Sequence, residues 1–145
     1  MDYIRIDTDH INDEVLYNIA KWHNETPRIW IPDYIPTEEE IAETIARMKD
    51  KEAYICIAKD QVILGFIWAE KQDQDVMILS LYVDESIRQK SVGTELKLQL
   101  EHWCRENEIR KIKTTVHSKN KKMLLLNEKL GYESKMVHME KIIDE

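Results

Sequence analysis

"LSLYVDESIRQKSVGTELKLQLEHWC", residues 79–104, decides how the rest of the chain must be arranged. "LSLYV" is the alternating, aromatic-rich end of a β-strand, "DESIRQK" is polar, and Leu96, Leu100 and Trp103 then recur at helical spacing from a start at Ser91 or Val92. A strand therefore runs through a short loop into the N-terminus of a helix. The first N–H groups of such a helix lack partners inside it, and the helix dipole is positive there. Gly93 falls in that first turn, where an anion meets little steric hindrance, while Arg88 and Lys90 add charge. These are the ingredients of a phosphate site. Neither GxxxxGK[ST] nor GxGxxG is present, and an ordinary solvated helix start would carry the same residues.

Working outward, "VILGFIWAEK" (62–71) and "EAYICIAK" (52–59) precede "VMILSLYV" (76–83), all rich in β-branched and aromatic residues. They predict a three-strand meander. Ahead of it, "YIRI" (3–6) predicts a first strand, and Ile11, Val15, Ile19 and Trp22 an amphipathic helix over 11–26. "PRIWIPDYIP" (27–36) holds all three prolines and predicts a stiff loop. Thr37 and Glu40 form a capping box for a second helix that buries Ile41, Ile45 and Met48. Beyond the decisive helix, "IRKIKTTVH" (109–117) predicts a strand, "NKKMLLLNEKL" (120–130) a helix closed by Gly131, and "YESKMVHMEKI" (132–142) a last strand. The order β-α-α-β-β-β-α-β-α-β implies an α/β chain with a mixed sheet flanked by helices.

With 145 residues the chain suits one domain, 1–145, comprising helices over 1–50 and a core over 52–142. A 43% apolar and 34% charged composition reads as soluble and globular. No apolar run approaches the roughly 20 residues of a bilayer span, and "MDYIRIDTDH" lacks the layout of a secretion signal, so a cytoplasmic protein without membrane partners is expected. The net charge of −7 argues against nucleic acid and is compatible with a cationic partner. Cys56 and Cys104 have no CxxC spacing, so structural thiols and no metal are expected. Only three glycines occur, where about ten would be average. Gly65, inside a strand, therefore marks a bulge or a close backbone approach.

Residues 79–104, taken with "VHSKNKKMLLLNEKLGYES" (116–134), resemble the GCN5-related N-acetyltransferase (GNAT) superfamily. Arg88, Ser91 and Gly93 stand at the defined positions of its pyrophosphate loop [QR]xxGx[GA], with Gln89, Lys90 and Val92 between them. Asn120 opens, and "NEKLGY" (127–132) closes, a segment similar to the family's helix "N..a..lY.klGF"; "ILGFIWAE" resembles its third strand. The resemblance implies a central mixed, mostly antiparallel sheet of six to seven strands flanked by about four helices. It departs from the family at Ser91, which replaces a glycine, at Asn127, where many members carry an acidic tyrosine, and at Thr115, where some carry a glutamate. Serine is tolerable at 91 only if that position does not need a positive φ.

The resemblance implies direct transfer of an acetyl group from acetyl-coenzyme A to a primary amine of a small cationic molecule or peptide, in a chain that pairs as a homodimer by family analogy. The alternative is a catalytically silent acyl-coenzyme A sensor. The pantetheine arm would pair with Leu81, Tyr82 and Val83, the diphosphate would sit on residues 88–94 (Arg88, Gln89, Lys90, Ser91, Val92, Gly93, Thr94), and Asn120 would border the cofactor. Candidates for proton transfer are Glu70 and His117, with Tyr82 adjoining the thioester and Asn127 hydrogen-bonding the sulfur. Trp22, His23, Trp30, Asp33, Tyr34 and Glu38 to Glu40 form an aromatic and acidic cluster suited to a cation. The same residues also suit a helix stripe and a favourable helix start.

Overall fold

A computed structural model describes residues 1–7, 13–29, 31–88 and 91–143, and these divide into two compact units, Met1–Thr115 and Val116–Glu145. The first unit holds β1 (Asp2–Arg5), α1 (Asp13–Asn24), α2 (Glu38–Met48), β2 (Ala53–Asp60), β3 (Val62–Gln72), β4 (Asp75–Val83), α3 (Val92–Glu106) and β5 (Ile112–Thr114). The sheet order is β1-β2-β3-β4-β5, antiparallel up to β4, with β5 parallel to β4. Ile11, Gln89, Lys90 and Trp30 lie outside the described residues. No described helix is long and apolar enough to cross a membrane.

Local chemistry explains the elements. Thr37 Oγ1 accepts the Glu40 N–H at 3.1 Å while Glu40 Oε1 accepts the Thr37 N–H at 3.3 Å, so α2 starts with both halves of the predicted capping box. The proline-rich stretch is not wholly loop: Thr26–Ile29 winds one turn of 3-10 helix, in which Pro27 can sit because an opening turn needs no N–H from it.

Each side of the sheet has its own core. Ile55, Ile57, Phe66 and Trp68 face Leu16, Ile19 and Ala20 of α1 and Ile41 and Met48 of α2. Residues of opposite parity turn toward α3: the Tyr54 and Trp103 ring centroids lie 4.9 Å apart. Strands covered on both faces lose polar alternation, which is why 54–58 and 65–69 are buried without a break. Lys97 of α3 is buried too, and desolvation pushes its amine down to about 8.

Gly65 meets both of its sequence expectations. The β2–β3 register slips beside it, between Ala58 and Lys59, and a Cβ at 65 would stand 2.7 Å from the Tyr82 carbonyl oxygen of β4. β3 and β4 can close at this point only around a residue without a side chain.

The second unit contains α4 (Lys121–Lys129), capped by Asn120, whose Oδ1 accepts the Met123 N–H at 3.2 Å, and followed by Gly131 at φ +92°. Two expectations need correcting. The strand expected over 109–117 is confined to Ile112–Thr114, and the one expected over 132–142 does not form, so the described sheet has five strands rather than six to seven. Strand propensity is realised only when a neighbouring edge accepts the main-chain bonds, and residues 133–143 make no main-chain hydrogen bond among the described residues. The mixed α/β class is unchanged.

Gly65→Ala should destabilise the fold by about 1–3 kcal/mol, the usual range for a forced steric insertion. Urea unfolding measures it, and an unaltered midpoint would contradict the close approach.

Candidate active site

The main chain of β4 sets the site. β5 pairs only with Val76, Met77 and Ile78, whereas β3 follows β4 as far as Val83. From Leu79 onward, β4 therefore has one edge that β5 does not reach. The β3–β4 register slips at the same place: Trp68 pairs with Ser80 but Ala69 with Ile78, leaving Leu79 as an extra, bulged residue.

The bulge decides which main-chain groups face the bare edge. The Val76 N–H donates to Lys111 O at 3.0 Å, toward β5, while the Asp84 N–H donates to Leu64 O at 2.7 Å, toward β3. Strict alternation would send even-numbered residues the same way throughout; the bulge switches the parity between those two bonds. Beyond it, Ser80 and Tyr82 direct their main-chain groups to β3, and Leu81 and Val83 direct theirs outward. The Val83 carbonyl is held by Arg88 Nε at 2.8 Å, so outward donors remain at Leu81 and Val83.

The loop beyond β4 leads to a second set of donors. Asp84 Oδ1 accepts from the Ser86 N–H at 2.9 Å and from Ser86 Oγ at 2.6 Å, shaping one 3-10 turn, Glu85–Ile87. Arg88 also faces Glu85, at 3.7 Å. Ser91 then adopts φ 61° and ψ 22° and makes no side-chain cap bond, and its carbonyl accepts the first helical bond, from Glu95. The amides of Val92, Gly93 and Thr94 precede that ladder at the positive end of α3. The proviso on Ser91 is thus not met: the position does take a positive φ, the conformation that a glycine in the family loop supplies at lower cost.

On the α1–α2 face, Trp22 stacks on Tyr82, with ring centroids 4.9 Å apart and planes at 17°. Burial raises the Tyr82 phenol above its usual value. His23 meets Trp68 edge-on at 5.1 Å, its Nδ1 buried without a hydrogen-bond partner, as is Trp68 Nε1. Desolvation, helped by the Arg47 charge, holds His23 below the ordinary histidine pKa, so its ring is neutral near pH 7. His23, Asn24, Thr26, Pro27 and Tyr34 line a pocket of about 340 Å³.

The expected carboxylates are engaged elsewhere. Arg47 grips Glu70 through two hydrogen bonds, 2.9 and 3.1 Å, and holds its carboxyl below the usual range. Glu40 accepts from Tyr34 Oη, and Glu38 accepts from Tyr17 Oη at 3.0 Å. Of the described members of the aromatic and acidic cluster, His23 and Tyr34 line the pocket; Asp33 is exposed.

In the second unit His117 is exposed, and its Nδ1 accepts the Lys119 N–H at 3.1 Å, which occupies one ring lone pair. Asn127 is buried, with an Oδ1 that has no hydrogen-bond partner.

The family model for GNAT acetyltransferases matches residues 16–132. The chain belongs to the GNAT family. No curated protein sequence matches this GNAT protein significantly. Solved structures share its fold at low identity. A tetramutant of a Bacillus halodurans protein superposes with a TM-score of 0.77 at 14% identity, covering 99% of this chain and 100% of its own. The aminoglycoside acetyltransferase from an uncultured soil metagenomic sample gives 0.71 at 15%, covering 99% and 98%. AAC(6')-Iy, in complex with the bisubstrate analogue CoA-S-monomethyl-acetylneamine, gives 0.68 at 18%, covering 97% of each chain.

Two features of this GNAT site escape a reading of residues. The Leu79 bulge has no signature, because leucine suits a regular strand equally. His23 was visible only as one of a cluster; its contact with Trp68, opposite Ser80 at the bulge, depends on α1 crossing the sheet.

Ser91→Gly should stabilise the protein by about 0.5–1 kcal/mol, the left-handed cost of roughly 1–2 less glycine's added chain entropy. Thermal melting checks this, and a lower melting temperature would contradict the strain.

Proposed function

We propose that this GNAT protein is a cytoplasmic enzyme that transfers the acetyl group of acetyl-coenzyme A to a primary amine of a small cationic molecule or a peptide. The observation that carries this is the β4 edge that β5 does not reach, with outward donors at Leu81 and Val83, leading into the left-handed Ser91 and the α3 amides. An extended amide-bearing arm that ends in a diphosphate fits such a track, with β-type main-chain bonds along the strand and anion-binding amides at its end. Arg88, Ser91, Val92, Gly93 and Thr94 would hold the diphosphate. In the same proposal Gln89 and Lys90 complete the loop and Asn120 borders the cofactor.

Acetyl-coenzyme A supplies an acyl group activated as a thioester. The outward N–H of Leu81 or Val83 would donate to the acyl oxygen, polarising it from a strand that need not reorganise. Trp22, stacked on Tyr82, holds the phenol in place beside this edge. Buried Asn127 would hydrogen-bond the sulfur through its Nδ2 amide, without donating a proton outright.

The amine presents the larger problem. An alkyl ammonium of pKa about 10.4 loses its proton at pH 7 at a cost of about 4–5 kcal/mol, so a proton acceptor has most to contribute. Glu70 and His117 are the sequence candidates, but the grip of Arg47 lowers the basicity of Glu70 and the Lys119 amide takes one lone pair of His117. We assign the role first to His23, neutral and lining the pocket against Trp68. Among the described residues that pocket has no carboxylate in its lining, so the acceptor would be held there by neutral hydrogen bonds and the Tyr34 ring. The engaged states of Glu70 and His117 favour one other reading, a silent acyl-coenzyme A sensor.

The proposal is tested by cofactor binding, turnover and substitution. Acetyl-coenzyme A should raise the melting temperature, and a panel of polyamines, aminoglycosides and peptide amines should yield free thiol with at least one member; stabilisation without thiol would select the sensor, and neither effect would refute both. Arg88→Glu should weaken cofactor binding at least about tenfold, the loss expected for one charge-assisted hydrogen bond. For the active enzyme, the acid limb of the pH–rate profile should fall with an apparent pKa below about 6.5. His23→Gln should remove that limb; its survival would return the role to Glu70 or His117.

A further inference from the structure

A histidine that accepts a proton must be held in one orientation, and a hydrogen bond to its second ring nitrogen is the usual means. His23 lacks one at Nδ1. That atom is buried without a hydrogen-bond partner among the described residues, and so is Trp68 Nε1, on the ring that His23 meets edge-on at 5.1 Å. Ring contact therefore orients the imidazole, which is only as fixed as the indole beside it.

The indole is held from α2. Trp68 is 2% exposed, and the Arg47 guanidinium lies over its ring, 5.7 Å from the centroid. Arg47 extends from the last turn of α2 with a half-exposed side chain that could turn into water, but the two carboxylate oxygens of Glu70 in β3 hold it at 2.9 and 3.1 Å. A fork gripped at two points keeps its plane. Glu70, Arg47, Trp68 and His23 thus form one line of contacts, all of it within the unit Met1–Thr115.

We propose that Arg47, pinned by Glu70, is a positioning residue for acyl transfer: it braces Trp68 against His23 and keeps the imidazole in place and uncharged. The catalytic consequence rests on the assignment of His23 as proton acceptor. Glu70 then serves the site by holding Arg47, a different part from the proton transfer expected of it in the sequence.

The surrounding charges leave this influence to Arg47. On α1 and the turn after it, Lys21 and Arg28 face Glu25 at 4.0 and 3.8 Å; on α2, Glu40 accepts from Tyr34; in β3, Glu70 is bound to Arg47 itself. Burial raises the Tyr82 phenol of β4, which stays neutral. Desolvation is the larger cause that keeps His23 neutral, and the Arg47 charge adds to it in the same direction.

An NMR titration of the His23 ring in the full chain, with the signal identified by its loss in His23→Gln, tests this without requiring turnover. Arg47→Met keeps an apolar stem beside Trp68 but removes the charge and the fork. It should raise the His23 pKa by about 0.3–1 pH unit, the span expected for one partly solvated charge across an indole. The nuclear Overhauser contact between the two rings should weaken. With an amine that the wild type acetylates, kcat should fall between about tenfold and a hundredfold, KM for acetyl-coenzyme A should hold, and the acid limb should move with the ring. Arg47→Gln is read in the same way if the methionine variant does not fold. An unaltered titration, ring contact or kcat would each overturn the role of Arg47. A shifted ring in a wild-type protein that acetylates no amine would uphold the brace and refute the acetyl-transfer reading.

Discussion

Main-chain groups on a β-strand alternate in direction, and every feature of the candidate site depends on where β4 breaks that alternation. The extra residue at Leu79 switches parity between Ile78 and Ser80, so the lower half of β4 serves β5 with one set of amides and the upper half leaves another set unclaimed by that strand. An unbulged β4 would turn the N–H groups of Leu81 and Val83 into β3. The short β5 is the complement of this arrangement, because a longer partner alongside would consume the same donors.

The opening is rigid because its surroundings are over-determined. Gly65 lets β3 approach the Tyr82 carbonyl closely, Asp84 is tied back to Leu64, and Arg88 closes on the Val83 carbonyl. Strand end and turn are thus connected by main-chain and guanidinium hydrogen bonds rather than by apolar packing alone. Among the described residues of this loop, Ser91 carries a conformational cost, a left-handed backbone at a residue with a Cβ. Such strain persists where the neighbouring structure imposes it, and it concentrates at working sites.

Charge is distributed so that the acceptor side is quieter than composition implies. Glu38 and Glu40 of the second helix face tyrosines, and Glu70 faces Arg47, leaving a pocket lined by an imidazole, an amide, a hydroxyl, a proline and a phenol. An overall charge of −7 therefore says little about what the pocket holds; it acts at longer range, on encounter.

The strand–loop–helix stretch, the meander, the capping box at Thr37 and the special status of Gly65 were legible in the residues themselves. Each depends on local rules: side-chain period, cap chemistry, and the steric consequence of a missing Cβ. The family resemblance, too, rested on spacing within two short blocks. What the residues left open was long-range: the bulge at Leu79, the positive φ of Ser91, the partners of Glu70 and His117, and the contact of His23 with Trp68. Residues 132–142 show the boundary most plainly, for their alternating pattern specifies an extended conformation but not a neighbour. By itself the sequence determined which segments extend and which coil, because those preferences are encoded within a few residues of chain. Only the tertiary structure decided which main-chain donors stay unclaimed and which side chains meet, because both are set by neighbours distant in sequence.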